Sequence, residues 1–243
     1  MYSVMFSCRM DLREGEAPLE RLLDSFEALT SEEEKSKSEF LIKFDTDDKR
    51  IPPDAFFDKY NFTIKKFVWD RYGGRSSLHE VQNVLYNHVR EDCQFVQVIA
   101  DDFIFTRPNF VEEILQYSGQ YVIIGEKGMG DHVPPAGSGG YAPCFSTKII
   151  DATSGFGSHC NSDGFAFGLA EELEKRYGYQ VVADFLLYYR RLDHLTTQDP
   201  DCKFIELCHA NRSHVFTRLA RNIIANLEIE RSTMILSKMH DME

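Results

Sequence analysis

The stretch Val98-Ile99-Ala100-Asp101-Asp102-Phe103-Ile104 sets two adjacent carboxylates at the end of an apolar run. Like charges side by side call for a counter-charge. A divalent cation such as Mg²⁺ or Mn²⁺, which prefers carboxylate oxygens, would supply it. The competing reading is a pair of solvated turn carboxylates ahead of a helix near Pro108. Three more apolar runs end the same way. Tyr2 to Cys8 leads into Arg9 and Asp11, Phe40 to Phe44 into Asp45-Thr46-Asp47-Asp48, and Thr63 to Trp69 into Asp70-Arg71.

The elements that must position these groups follow from periodicity. The four runs read as strands, with a fifth from Tyr121 to Ile124 and another from Phe145 to Ile150. Pro18 suits a first helical turn, and Leu19, Leu22, Leu23, Phe26 and Leu29 follow at helical spacing. Leu78, Val81, Leu85 and Val89 mark a second helix, and Pro108 opens a short one through Leu115. Apolar strands separated by helices imply a parallel sheet covered on both faces. Such sheets bind ligands beyond the carboxyl ends of their strands, where the charged residues fall.

The second half differs in texture. Glycines cluster from Gly125 to Gly140 around Pro134 and Pro135, which reads as a loop. Helices are expected over Phe165–Tyr177, Ala183–Leu192 and Val215–Leu227, with a brief strand at Phe204–Leu207. The glycine-rich stretch lacks the spacing of a P-loop, and no dinucleotide-binding glycine pattern follows a strand.

The chain has 243 residues, 43% hydrophobic, enough for a sizeable core. Its 27 basic and 39 acidic residues leave a net charge of −12. That balance speaks against coating nucleic acid or an anionic membrane by bulk electrostatics. No apolar run is long enough for a membrane span. The six cysteines are scattered, with no Cys-x-x-Cys, which fits reduced thiols in a cytoplasmic protein.

The order of these motifs resembles GT-A glycosyltransferases of the family-2 type, over about residues 2 to 115. The resemblance rests on Asp101-Asp102 after the fourth strand, the later Arg107-Pro108-Asn109-Phe110, and the acidic run after the second strand. It also rests on Gly73-Gly74-Arg75 before the helix from Ser77. It implies an α/β, GT-A-like chain with a mixed central sheet, read as a single domain over 1–243. Residues 1–118 would form a Rossmann-related nucleotide-sugar-binding half, and 119–243 an acceptor-binding half with a C-terminal helix. The implied reaction is metal-dependent and inverting. It moves a sugar from a nucleotide-diphosphate donor, a UDP-sugar favoured, to a glycan or other hydroxyl acceptor, as in a hexosyltransferase.

The resemblance also distributes roles. Asp45 and Asp47 would face the base and ribose. Asp102 and Asp101 would hold Mn²⁺ or Mg²⁺, with Asp101 also near the donor, and His214 or His209 could add a late ligand. Arg9, Arg71 and Arg75 would assist the diphosphate, or else be ordinary solvated side chains. A general base takes the acceptor proton in such a transfer. Val182-Ala183-Asp184, followed by Arg190-Arg191, resembles the family's base motif, with Ala183 where an acid is common. Asp184 is therefore the candidate base and Asp163 the second, each open to a helix-capping role instead.

Two rivals remain on the sequence. Phe44-Asp45-Thr46-Asp47 has the Asp-x-Asp look of a haloacid-dehalogenase-like phosphatase, although that family places its nucleophile on the first strand. A nucleotide-binding module without catalysis is the other.

Overall fold

The structure, a computed structural model, describes residues 1–11, 18–71, 78–126, 142–156, 162–185, 189–191 and 212–240. Its strands are β1 (Tyr2–Cys8), β2 (Ser38–Asp45), β3 (Thr63–Trp69), β4 (Phe95–Val98), β5 (Phe103–Phe105), β6 (Ile123–Glu126), β7 (Cys144–Ser146), β8 (Val182–Phe185) and β9 (Tyr189–Arg191). Seven of them form one sheet in the order β3-β2-β1-β4-β7-β6-β8, and β5 pairs with β9 in a two-stranded ribbon. Pairing is parallel from β3 through β4, antiparallel on both sides of β7, and parallel again between β6 and β8. The sheet is mixed, as expected, with β7 alone running against the rest.

The helices are α1 (Pro18–Leu29), α2 (Glu32–Ser36), α3 (Leu78–Tyr86), α4 (Phe110–Leu115), α5 (Thr147–Thr153), α6 (Ser162–Tyr177) and α7 (Arg212–His240). Strand side chains alternate between faces, and the core divides accordingly. Tyr2, Val4 and Phe6 of β1, with Phe40 and Ile42 of β2, pack against Leu22 and Phe26 of α1 and Phe110 of α4. Met5 and Leu41, one residue out of phase, pack with Val81 and Leu85 of α3 and with residues of α5, α6 and α7. Every residue of β2 is buried, as expected of a strand covered on both faces.

Glu34 ties the first layer together. Fully buried, it accepts the backbone N–H groups of Val111 and Glu112 at 3.1 and 3.2 Å, at the start of α4. Its other oxygen accepts from Ser31 N at 3.0 Å and closes the capping box of α2. In the second layer Gly168 lets α6 approach α7. A Cβ there would collide with the ring of Phe216.

The structure corrects two expectations. Residues 145–150 are not one strand: β7 ends at Ser146 and α5 begins at Thr147. Phe145 fills the row between Val96 and Ile123, while Ile149 and Ile150 bury on the helical side. Where the stretch expected as a helix over 183–192 is described, it is strand. Val182–Phe185 pairs with β6, and Tyr189–Arg191 pairs with β5. A short apolar run fits both periods, and available pairing partners decide it. The expected strand at 204–207 lies outside the described residues. The C-terminal helix is longer than expected and reaches His240. Among the described residues, no helix is long and apolar enough to cross a membrane.

Candidate functional site

The parallel strands β1 to β4 share one carboxyl edge, and the charged strand ends gather there. Arg9, the first residue after β1, sits among acids from two segments. Its Nε donates to Asp11 Oδ1 at 2.9 Å, its Nη1 to Asp45 Oδ2 at 3.3 Å and its Nη2 to Asp47 Oδ2 at 3.2 Å. Burial works against the guanidinium charge, but the bonds to Asp11 and Asp47 outweigh it and hold Arg9 more firmly protonated than usual. Asp45 is shared further, because Lys43 Nζ donates to Oδ1 of the same carboxylate.

Asp48 joins the two segments through the backbone. It accepts Met10 N at 2.7 Å and Arg50 N at 2.9 Å, and it is 5% exposed. Arg50 Nε donates back to the Met10 carbonyl at 3.0 Å. The neighbouring strand end is fixed by Thr46, whose hydroxyl donates to Asp70 at 2.6 Å and whose N–H donates to the Trp69 carbonyl at 3.2 Å. The loops after β1, β2 and β3 thus form one hydrogen-bonded ledge.

Asp101 and Asp102 occupy the turn between β4 and β5 and are 6% and 1% exposed. Cys8, at the end of β1, lies with its Sγ 3.5 Å from Asp101 Oδ2. Cys8 and Arg9 are consecutive, so the end of β1 brings the Asp101 turn and the Asp45–Asp47 turn together. Solvated turn carboxylates would be exposed, and these are not.

The donor set suits a hard cation. Two carboxylates of adjacent residues offer oxygen ligands of the kind Mg²⁺ and Mn²⁺ take. Among the described residues no group of three or more His, Cys, Asp or Glu side chains could hold a metal by itself. A cation at Asp101 and Asp102 would complete its shell with a ligand's oxygens and water, the usual arrangement for Mg²⁺ at phosphates.

The second half reaches the same edge. β9 lies antiparallel to β5, with Arg191 opposite Phe103 and Arg190 opposite Ile104. The backbone of these arginines is therefore next to the strand that follows the acidic turn. Asp184 lies in β8 opposite Gly125, in the sheet row that Met5 and Val98 occupy. As a strand residue it caps no helix. Asp163 is the second residue of α6, and His214 lies in the first turn of α7. The ring of Phe216, near the start of α7, lies 6.1 Å from that of Phe165, near the start of α6. Tyr179, just beyond α6, donates to the Tyr121 carbonyl ahead of β6. α6 therefore runs down the sheet, and the starts of α6 and α7 lie toward the carboxyl edge. The side chains of Asp163, Asp184, Arg190, Arg191 and His214 lie outside the description. Arg75 and His209 lie outside the described residues altogether, while Arg71 is half-buried just beyond β3.

The sequence reading passed over Lys43 and Asp48. Lys43 was signalled by its place as the lone cation in an apolar strand. Asp48 was hidden in an acidic run whose members look alike.

No family model matches the sequence, and no curated protein matches it. Solved structures do match in fold. The structure of S. aureus TarS 1-349 in complex with UDP-GlcNAc superposes with a TM-score of 0.56 at 12% identity, over 92% of this chain and 72% of that one. The UDP complex of the same fragment gives 0.52 at 13% identity, over 90% and 70%. The longer TarS structure gives 0.52 at 12% identity, and this chain spans 37% of its length. The fold is GT-A-like α/β, as the order of motifs implied.

Proposed function

We propose that the protein is a glycosyltransferase that moves a sugar from a nucleotide-diphosphate donor to a hydroxyl acceptor. The observation that carries this reading is the buried pair Asp101–Asp102, joined through Cys8 and Arg9 to the Asp45–Asp47 turn on one carboxyl edge. A base site and a cation site side by side fit a nucleotide diphosphate. TarS, which shares the fold, was crystallised with UDP-GlcNAc and with UDP, and this supports a UDP-sugar as donor.

In this reading Asp45 and Asp47 receive the base and ribose, and Arg9, Arg71 and Arg75 assist in holding the donor. Asp101 and Asp102 hold Mn²⁺ or Mg²⁺, with His209 or His214 as late additional ligands. Such a cation, when bound, supplies positive charge for the departing diphosphate. Asp184 takes the acceptor proton and the sugar is transferred with inversion, Asp163 being the second candidate for that step. The protein works as a cytoplasmic hexosyltransferase, residues 1–118 forming the donor half of a single domain and 119–243 the acceptor half.

The test is thermal unfolding with UDP, GDP, CDP and dTDP, each with Mn²⁺ or with EDTA. A ligand that binds only the folded state adds about 2.7 kcal/mol at a hundred times its Kd. UDP with Mn²⁺ is expected to raise the midpoint, and EDTA to remove the rise. Asp102→Ala is expected to abolish both the rise and sugar transfer while the chain still unfolds cooperatively. Transfer retained by that variant overturns the assignment.

A further inference from the structure

Lys43 is out of place in its strand. It interrupts Phe40-Leu41-Ile42-Lys43-Phe44, pairs across the sheet with Ser7 and Phe67, and has a side chain only 3% exposed. Taking an ammonium group out of water is costly, and packing alone would be served by an apolar side chain of similar size. Among the described residues two neighbours meet the charge. Asp45 Oδ1 accepts from Nζ, and the Trp69 ring faces it with its centroid 5.7 Å away. Asp45 itself is 12% exposed in its side chain and also holds Arg9 through Oδ2 at 3.3 Å.

A carboxylate offers about four acceptor positions. Lys43 occupies one on the first oxygen and Arg9 one on the second, so the group is gripped from both ends. Its rotation is fixed while acceptor capacity remains for a donor arriving from outside. We infer that Lys43 is a positioning residue for nucleobase recognition: it locks Asp45 as the acceptor that reads a base N–H. The inference rests on the nucleotide-sugar reading. It favours bases that present a ring N–H to a carboxylate, as uracil does, and it confines the contribution of Lys43 to the base, away from the diphosphate.

That confinement is what the experiment reads. Calorimetric titration of the full chain with UDP and with inorganic pyrophosphate, both with Mn²⁺, separates base from diphosphate. The wild type is expected to bind UDP more tightly than pyrophosphate. Lys43→Met should weaken UDP about tenfold, the size of a lost charged hydrogen bond, and change pyrophosphate by less than about twofold. Asp45→Asn should remove the UDP preference, and adding Lys43→Met to it should cost nothing further, because both act through one carboxylate. Lys43→Arg, which keeps the charge, should retain most of the preference, and it carries the comparison if Lys43→Met does not fold.

Equal weakening of both ligands in Lys43→Met overturns the inference, as does an unchanged UDP affinity or additive losses in the double variant. A wild type that binds UDP no better than pyrophosphate also overturns it, leaving diphosphate binding intact. A wild type that binds neither overturns the donor reading itself.

Discussion

Asp47 and Asp48 are adjacent acids with opposite surroundings, and replacing each with alanine should separate them sharply. Asp48 is 5% exposed and accepts the N–H groups of Met10 and Arg50 at 2.7 and 2.9 Å. Removing it takes this acceptor from both donors. Met10 is itself only 7% exposed, so its N–H has no ready access to water, whereas Arg50 is exposed and its N–H can turn to solvent. An unsatisfied buried donor costs about 1–3 kcal/mol and a bond exchanged for one to water about 1 kcal/mol, so Asp48→Ala should cost roughly 2–4 kcal/mol. For a chain of this size that lowers the melting temperature by roughly 5–12 °C. Asp47 is 60% exposed in its side chain and, among the described residues, meets Arg9, which keeps Asp11 and Asp45 without it. Exposed pairs contribute about 0–1 kcal/mol, so Asp47→Ala should fall in that range. Both variants remove one negative charge, so the change in net charge cancels from the comparison. Urea unfolding at neutral pH measures both, with the denaturant slope as a check that the unfolded states match. Equal losses in the two variants, or a loss below about 1 kcal/mol for Asp48→Ala, would refute the view that Asp48 fastens the ledge.

Two further outcomes follow from the structure. Burial works against the Glu27 charge, but the Lys35 ammonium at 2.6 Å and the Asn61 N–H at 3.1 Å outweigh it and hold the carboxyl below its ordinary value of 4.5. A depressed folded value means its stabilisation is present above pH 4.5 and is lost as the pH falls through the lower folded value. The stability advantage of wild type over Glu27→Gln should therefore be level at neutral pH and shrink only in acid; an advantage constant down to pH 3 is inconsistent with this. Gly168→Ala should destabilise by about 1–3 kcal/mol, although alanine normally favours a helix, because its Cβ would meet the Phe216 ring. A variant more stable than wild type would show that the ring yields at no cost.

Much of the fold was legible because the first half obeys simple periods. β1 and β3 fall where the apolar runs place them, and α1 follows its leucine spacing. The second half was harder because its strands are short. Cys144–Ser146 and Tyr189–Arg191 are three residues each and acquire their identity from β4, β6 and β5 beside them. The acidic clusters were visible as strand ends, but their connections were not. Nothing in Cys8-Arg9 announces that one side chain turns to Asp101 and the next to Asp45 and Asp47. Sequence spacing identifies which edge a residue occupies, and packing decides which neighbour it faces.

The charge at this edge decides how an anion could bind there. Arg9 is matched by Asp11, Asp45 and Asp47, and Lys43 by Asp45, while Asp48, Asp101 and Asp102 add further acids close by. Among the described residues, a diphosphate arriving at such a ledge meets more carboxylates than cations, within a chain of net charge −12. At about 4 Å and an effective dielectric near 20, each unit repulsion costs roughly 4 kcal/mol. A divalent cation between Asp101–Asp102 and the diphosphate would turn that repulsion into attraction on both sides. Nucleotide affinity should therefore fall steeply when the cation is chelated, and a nucleoside without phosphates should lose far less. If UDP and uridine respond alike to EDTA, the acidic turn is not where the diphosphate lies.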